Sequence, residues 1–575
     1  MKSLSALAFA ALLVLSLGAV PAAGATTAPP DASVQHSTAD PATAPDDTVQ
    51  AGSSPSPSMS TAPAASTQEV DSDDDPSTEG TVGYVEGVRY DDSLPVDNRS
   101  SAVVEEDELE AVVHRSMARV EVIRNETFEE DVSVDVVSRE EFRADQGTLF
   151  AEENGNDRLF DAVLLEGLFM LERDAPVEEA TETLYGESVA GYYDSETDEI
   201  VVVAEDAEQL ELNERTLGHE LVHALQDQRF DLSGYDRETT DGDTAVNGLI
   251  EGDASWVEAE YDRRCADEWD CAPAVEQTPD VDGLNWGLYF SIYQPYDDGP
   301  DYVEHLRQES GDSWGAVDAA YDDPPESSSE VIRPGDDRDP VDVEVEDRSN
   351  DEWRPLEADG EVATDRLGEA TMVAMFADGA MSQGEPSVIE RDEFVRGAAT
   401  GEPDLNYDQP MTDGWAGDEF VVYAGEDASR EESGFVWETR WTDADEAVAF
   451  AEGYLEELEN HDAESVEDRR DTYEIDGEFP GAYALEVDGD TVTIVRAPSV
   501  DALPEIRDGA APEGEDTLEV DDDGASDGAD ETSEDDDGGG IADEIPGFGP
   551  LGALLTVAAT VALAIRRGGG ANAGE

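Results

Sequence analysis

The chain has 575 residues and carries 145 acidic against 31 basic side chains, a formal net charge of −114. That balance excludes a nucleic-acid partner, which needs a basic footprint. It also strains a compact fold unless molar salt shrinks the Debye length to roughly 3 Å. Lys2 is the only lysine, and the acidity runs through apolar-rich and apolar-poor segments alike. This reads as a proteome-wide halophilic adaptation, in which a single acidic run is a solvated face and no partner signal.

In chain order, residues 1–25 read as a secretory signal peptide: Lys2 supplies the charge, residues 4–20 the apolar run, and Ala23-Gly24-Ala25 a small-residue cleavage site. Residues 26–80 are Ser, Thr, Pro, Ala and Asp, cannot bury a core, and read as a disordered stalk. The sequons at Asn98 and Asn125 suit N-glycosylation and fit an exterior location.

Residues 81–498 have globular character and are expected to form one integrated ectodomain, α+β and mainly helical. Periodicity predicts helices over 105–122, 159–171, 212–229 and 244–261, with shorter ones at 302–308, 315–321, 366–376 and 442–458. Alternation predicts strands at 132–137, 419–423, 435–440, 482–487 and 491–495, and a β-hairpin over 190–203. Cys265 and Cys271 do not match paired-cysteine zinc sites; in an exported chain they read as a small-loop disulfide, with two buried thiols as the alternative. Residues 499–545 return to Asp, Glu, Gly and Ser, an acidic disordered linker. Pro546-Gly547-Phe548 opens an apolar run to residue 565, followed by Arg566-Arg567 and a short tail, 568–575. The run is near the lower limit for a spanning helix, and the arginines suit a cytoplasmic end with the ectodomain outside.

The chemistry-bearing motif is His219-Glu220-Leu221-Val222-His223. Two histidines at i and i+4 project from one helix face and can converge on one ion, with Glu220 beside them as a base that is not a ligand. Zn²⁺ in such a site lowers the pKa of its water towards about 7. A catalytic site needs a third protein ligand and an open position. Metzincin and aspzincin spacings both call for a ligand where this chain has Arg229, so neither fits. Asp227 is better placed for backbone contacts. Glu251 follows His223 by a gluzincin-like separation, in the apolar and small-residue setting Gly248-Leu249-Ile250-Glu251-Gly252-Asp253-Ala254. It is the expected third ligand, with Asp253 the competitor and Glu258 behind it.

The run from Thr216 to Gln228, with Phe230-Asp231-Leu232 and Ile250-Glu251-Gly252-Asp253-Ala254, resembles a group of largely uncharacterised HExxH proteins from bacteria and archaea. Gly191-Tyr192-Tyr193-Asp194, Pro324-Pro325 with residues 327–334, and Gly414-Trp415-Ala416-Gly417-Asp418 extend the resemblance over most of residues 185–460. The resemblance implies a zincin-like, gluzincin-type domain with a β-hairpin or sheet before the HExxH helix. Related sequences often have His-Pro where this chain has Arg333-Pro334. Arg333 is therefore either a substitute cation stabilising the transition state or structural. Tyr302 and His305 are weaker candidates that read as helix-surface residues. The Pro-Gly-Phe tail resembles the sorting signal of haloarchaeal surface proteins, which implies an archaeosortase-type enzyme that removes the helix and attaches a lipid; a plain membrane span is the alternative.

The functional expectation is a cell-surface zinc metallopeptidase acting on peptide or protein substrates. The competing expectation is a non-catalytic, metal-stabilised surface or adhesion protein that keeps the same fold.

Overall fold

The computed structural model describes residues 80–518, apart from 143–154, 187–188, 190, 196, 205–209, 275–282, 337, 339, 359, 383, 397–403 and 426–428, together with 559–560. The signal-peptide and stalk readings, the Pro546-Gly547-Phe548 motif and the basic stop lie outside the described residues. Among the described residues no helix is long and apolar enough to cross a membrane.

The fold is mixed α and β. It opens with a small hairpin, β1 (Tyr84–Val85) and β2 (Val88–Arg89), then α1 (Leu109–Arg124), β3 (Ser133–Ser138), α2 (Gly155–Gly167) and α3 (Val177–Gly186). Next come β4 (Gly191–Asp194), β5 (Glu199–Ala204), α4 (Glu214–Phe230) and the 28-residue α5 (Thr240–Asp267). Four further helices follow: α6 (Trp286–Asp297), α7 (Gly299–Glu309), α8 (Gly315–Ala320) and α9 (Ser328–Ile332). The C-terminal part holds β6 (Arg354–Pro355), β7 (Glu357–Ala358), β8 (Glu361–Val362), β9 (Thr364–Asp365) and α10 (Gly368–Phe376). It continues with β10 (Trp415–Ala424), β11 (Ser433–Trp441), α11 (Ala444–Asn460), β12 (Glu464–Ser465), β13 (Thr472–Ile475), β14 (Gly481–Asp488), β15 (Thr491–Ala497) and α12 (Leu503–Ile506).

Two cores divide the work. In the first, α1, α4 and α5 pack with a small sheet in which β5 pairs antiparallel with β4 and parallel with β3. The predicted hairpin is β4–β5, and Asp198 takes the left-handed conformation (φ +57°) in its turn. The second core lies on an antiparallel sheet ordered β12-β13-β14-β15-β11-β10-β6, with β9 also on β10. Strand alternation sends Phe420, Phe435, Trp437 and Ile494 towards α11 and the larger core. Val421, Val436 and Val495 go to a smaller core on the opposite face. Helix α5 touches α1, α4, α6, α7, α9 and α10.

Three expectations need correction. The folded region does not end at residue 498: Leu503, Ile506 and Ala511 cover the opposite face of the large sheet, and Leu518 is buried in the larger core. Acidic composition hides this because the few apolar residues are spaced to seal one face. The helix expected over 159–171 ends at Gly167; residues 168–171 are apolar because they enter the core irregularly, with Phe169 at φ +56°. Helix α6, WGLYFSIYQPYD, was not predicted. Cys265 and Cys271 are joined as a disulfide at the end of α5. Both sequon residues, Asn98 and Asn125, are exposed.

Candidate metal centre

Helix α4 starts where the Asn213 side chain accepts the Arg215 N–H. Its first residue, Glu214, is buried and receives four donors: Arg115 (2.9 Å), Arg119 (2.6 Å), the Tyr261 hydroxyl (2.9 Å) and the Ala272 N–H (2.9 Å). Arg119 also donates to the Asp270 carbonyl (2.7 Å), so the disulfide loop is tied into the same cluster. At the other end of α4, Asp227 accepts the Leu232 N–H and the Tyr193 hydroxyl, both at 2.9 Å, which fixes β4 against the helix. Asp227 thus does make the backbone contact its position suggests.

Between these anchors His219 and His223 stand one turn apart, with ring centroids 4.8 Å from each other. Leu217, Leu221, Val222 and Leu225 are buried and hold the helix flanks. Helix α5 brings in Glu251, whose Oε2 lies 3.3 Å from His219 Nε2 and 3.2 Å from His223 Nε2. The small residues around Glu251 have a packing reason. A Cβ on Gly252 would sit 2.3 Å from the Gly299 carbonyl oxygen, and one on Gly248 would sit 2.7 Å from the Val331 methyls. Glycine at both positions lets α7 and α9 press against α5 beside the ligand.

One ligand atom from each of His219, His223 and Glu251 lies within 4.8 Å of the others, and this buried group could hold a metal ion. Each imidazole is gripped from behind: His219 Nδ1 lies 3.2 Å from Glu258 Oε2, and His223 Nδ1 lies 2.9 Å from Gln226 Oε1. Both Nε2 atoms are left facing Glu251, the orientation a ligating histidine adopts when a second group holds its other nitrogen.

The electrostatics agree. Burial disfavours a charged imidazole, but hydrogen bonds to Glu251 and Glu258 outweigh it and push His219 up to about 10; His223 is raised against burial by the charge of Glu251. Glu251 itself, although burial would raise it, is held well below the usual carboxylate range by His223 and His219. The carboxylates favour positive charge at the imidazoles, and a bound divalent cation would take the place of the protons they attract.

Buried polar atoms without partners test the fit. Both Glu220 oxygens make no hydrogen bond, His223 Nε2 meets only the Glu251 carboxylate, and His219, Glu220, His223 and Glu251 are only 0–3 % exposed. Such atoms are rare in folded proteins and ask for a cause. A cation at the Nε2 and Oε2 atoms, with a polar group at Glu220, supplies one. Burial pushes Glu220 up to about 7, with His219 and His223 pulling the other way. Two imidazoles and a carboxylate suit first-row divalent metals as a class.

The structure separates the competing carboxylates. Asp253 is buried behind the ligands, where it accepts from Gln226 Nε2 (3.2 Å) and the Tyr321 hydroxyl (2.9 Å) and faces Arg124 (3.2 Å). Glu258 is the partner of His219 Nδ1. Arg333 is not free to stabilise a transition state. Nη1 and Nη2 donate to Glu369 at 2.6 and 2.7 Å, and Asp408 and Asp413 each lie 3.0 Å away. Because Glu369 is fully buried, the guanidinium is its counter-charge. Tyr302 is a buried residue of the first core rather than a surface one, whereas His305 is part-exposed beside Glu309. The other motif residues fasten the fold. Asp418 accepts from the indoles of Trp415 and Trp437 and the N–H groups of Leu367 and Gly368, and Asp241 accepts from the N–H and hydroxyl of Ser328. Gln226 was missed by sequence reasoning as a member of the site; its place three residues after His223, on the same helix face, was the available signal.

A family model described as Domain of unknown function (DUF8575) matches residues 354–507, from β6 to just past α12. The match covers the large sheet and excludes α4 and α5. No curated protein and no solved structure matches the chain.

Proposed function

We propose that this chain is a cell-surface zinc metallopeptidase that hydrolyses peptide bonds. His219, His223 and Glu251 would hold Zn²⁺. When bound, Zn²⁺ would acidify a water and polarise the substrate carbonyl. Glu220 then accepts a proton from the attacking water as its oxygen adds to the carbonyl carbon. The same proton passes to the leaving amine nitrogen as the C–N bond breaks, returning Glu220 to its starting state. The observation that carries this reading is Glu220 itself, a buried carboxylate beside the three candidate ligands whose oxygens have no hydrogen-bond partner. A site that merely binds a structural ion has no use for it. The signal-peptide pattern and the Pro-Gly-Phe tail support placement on the cell exterior.

One observation favours a second reading. The near-complete enclosure of all four side chains suits a non-catalytic surface or adhesion protein stabilised by its metal. Metal analysis of the chain purified in molar salt, with protease assays on wild type and Glu220→Gln, decides between them. The peptidase reading expects one zinc per chain in both proteins, cleavage by wild type, and a loss of about 10²–10⁴-fold in Glu220→Gln. Zinc without cleavage in either protein supports the second reading; absence of stoichiometric zinc sinks both.

A further inference from the structure

His223 is backed by an amide, whereas His219 is backed by a carboxylate. We infer that Gln226, with Asp253 and Arg124 behind it, is the positioning residue that fixes His223 as a metal ligand through Nε2. This rests on the metal-binding part of the reading above.

The orientation of the amide follows from its partners. Gln226 Nε2 lies 2.9 Å from the Ile250 carbonyl oxygen and 3.2 Å from Asp253 Oδ2, and both of these only accept. The NH₂ group must face them, so the amide oxygen faces His223 Nδ1 at 2.9 Å. Nδ1 therefore carries a ring proton, so in the neutral imidazole the lone pair falls on Nε2, the atom 3.2 Å from Glu251. An amide with free choice could turn over and present its NH₂ to the ring, which would reverse the tautomer. Asp253 prevents this.

Asp253 is in turn fixed. Its Oδ2 accepts the Tyr321 hydroxyl at 2.9 Å, and Arg124 Nε lies 3.2 Å from Oδ1. Arg124 is stacked over Trp314, 4.0 Å from the ring centroid, and donates to Asp318 at 3.0 Å. Gln226, Asp253 and Arg124 are all buried, so water does not substitute for these bonds. The acceptors of Gln226 belong to residues 250 and 253, which bracket Glu251 on one turn of α5. One amide therefore sets the His223 ring and registers it against the turn that carries the third ligand.

The test uses the full chain in molar KCl, stripped with a chelator. Zn²⁺ affinity is measured by competition with a chromophoric chelator, and site geometry by the visible spectrum of the Co²⁺-loaded protein. Gln226→Leu is expected to weaken Zn²⁺ binding about 10–100-fold and to alter the Co²⁺ spectrum while circular dichroism stays unchanged. Gln226→Glu is expected to recover most of the affinity. Its side chain keeps an oxygen that can accept from the ring Nδ1–H. Asp253→Asn, which weakens the hold on the amide, is expected to fall between the two and keeps the test open should Gln226→Leu fail to fold. Wild-type affinity and spectrum in Gln226→Leu, or in Asp253→Asn where the former is unfolded, overturn the inference. A wild-type chain that binds neither metal overturns both this inference and the metallopeptidase reading. Metal binding with the expected variant series but without peptide cleavage overturns the peptidase reading alone.

Discussion

Gly252→Ala puts the crossing of α5 and α7 under direct strain. The added methyl would lie 2.3 Å from the Gly299 carbonyl oxygen and 2.4 Å from its carbon, both backbone atoms with no rotamer to change. Restoring ordinary contact needs the two helices to part by about 1 Å. Overpacking of this kind costs about 1–3 kcal/mol. Replacing a helical glycine by alanine returns about 1 kcal/mol, which leaves a net loss of up to about 2 kcal/mol. Gly248→Ala meets only the Val331 methyls, at 2.7 Å, and these can turn, so its cost should be smaller. Gly155→Ala, with no atom within 4 Å, should be neutral or slightly stabilising. Urea unfolding of the three variants in molar KCl reads the series directly. Since Gly252 adjoins Glu251, Zn²⁺ affinity should fall in Gly252→Ala and hold in Gly155→Ala. If Gly252→Ala unfolds at the wild-type midpoint, or Gly155→Ala loses as much as Gly252→Ala, the close-approach argument is wrong.

Arg333→Ala strips the counter-charge from fully buried Glu369, a kind of change that costs about 3–5 kcal/mol. Adding Glu369→Gln should return much of this, and any peptidase activity per folded molecule should be unchanged, as unfolding curves and active-site titration would report. Asp378 accepts the Gly287 N–H (2.6 Å) and is pushed up to about 7 by burial. Its folded-state pKa lies above that of the unfolded chain, so the folded state holds the extra proton and stability falls as pH rises from about 4 through 7. Asp378→Asn should flatten that stretch of a melting-temperature profile recorded at fixed salt; an unchanged slope would place the effect elsewhere.

Much of the centre was legible because its geometry is local. The spacing of His219 and His223 is a property of any helix, and the alternation in 482–487 and 491–495 is a property of any half-buried strand. Choosing Glu251 over Asp253 required more. Residues two apart on a helix point in nearly opposite directions, so the choice depends on how α5 is rotated against α4, which Gly248, Gly252 and the helices seated on them decide. Helix α6 escaped because its aromatic residues are buried on several sides and leave little polar face to mark a period. The sequence leaves Arg333 open between a substitute cation and a structural residue because its counter-charge, Glu369, lies 36 residues on. The acidic composition past residue 498 masked Leu503, Ile506 and Leu518, which pack on a sheet and core assembled from segments spread along the chain.

The pinned ends of α4 bear on how an ion would be loaded. Glu214 at one end and Asp227 at the other are satisfied entirely by protein donors, and α5 is held by helices on several sides. The ordering of the centre therefore belongs to the folding of the chain as a whole. Small metal-nucleated domains differ in that binding and folding are one transition. In this protein the rate of gaining or losing an ion would be governed by passage through the enclosing side chains and by stripping of the ion's hydration, with the scaffold already assembled on either side of the step.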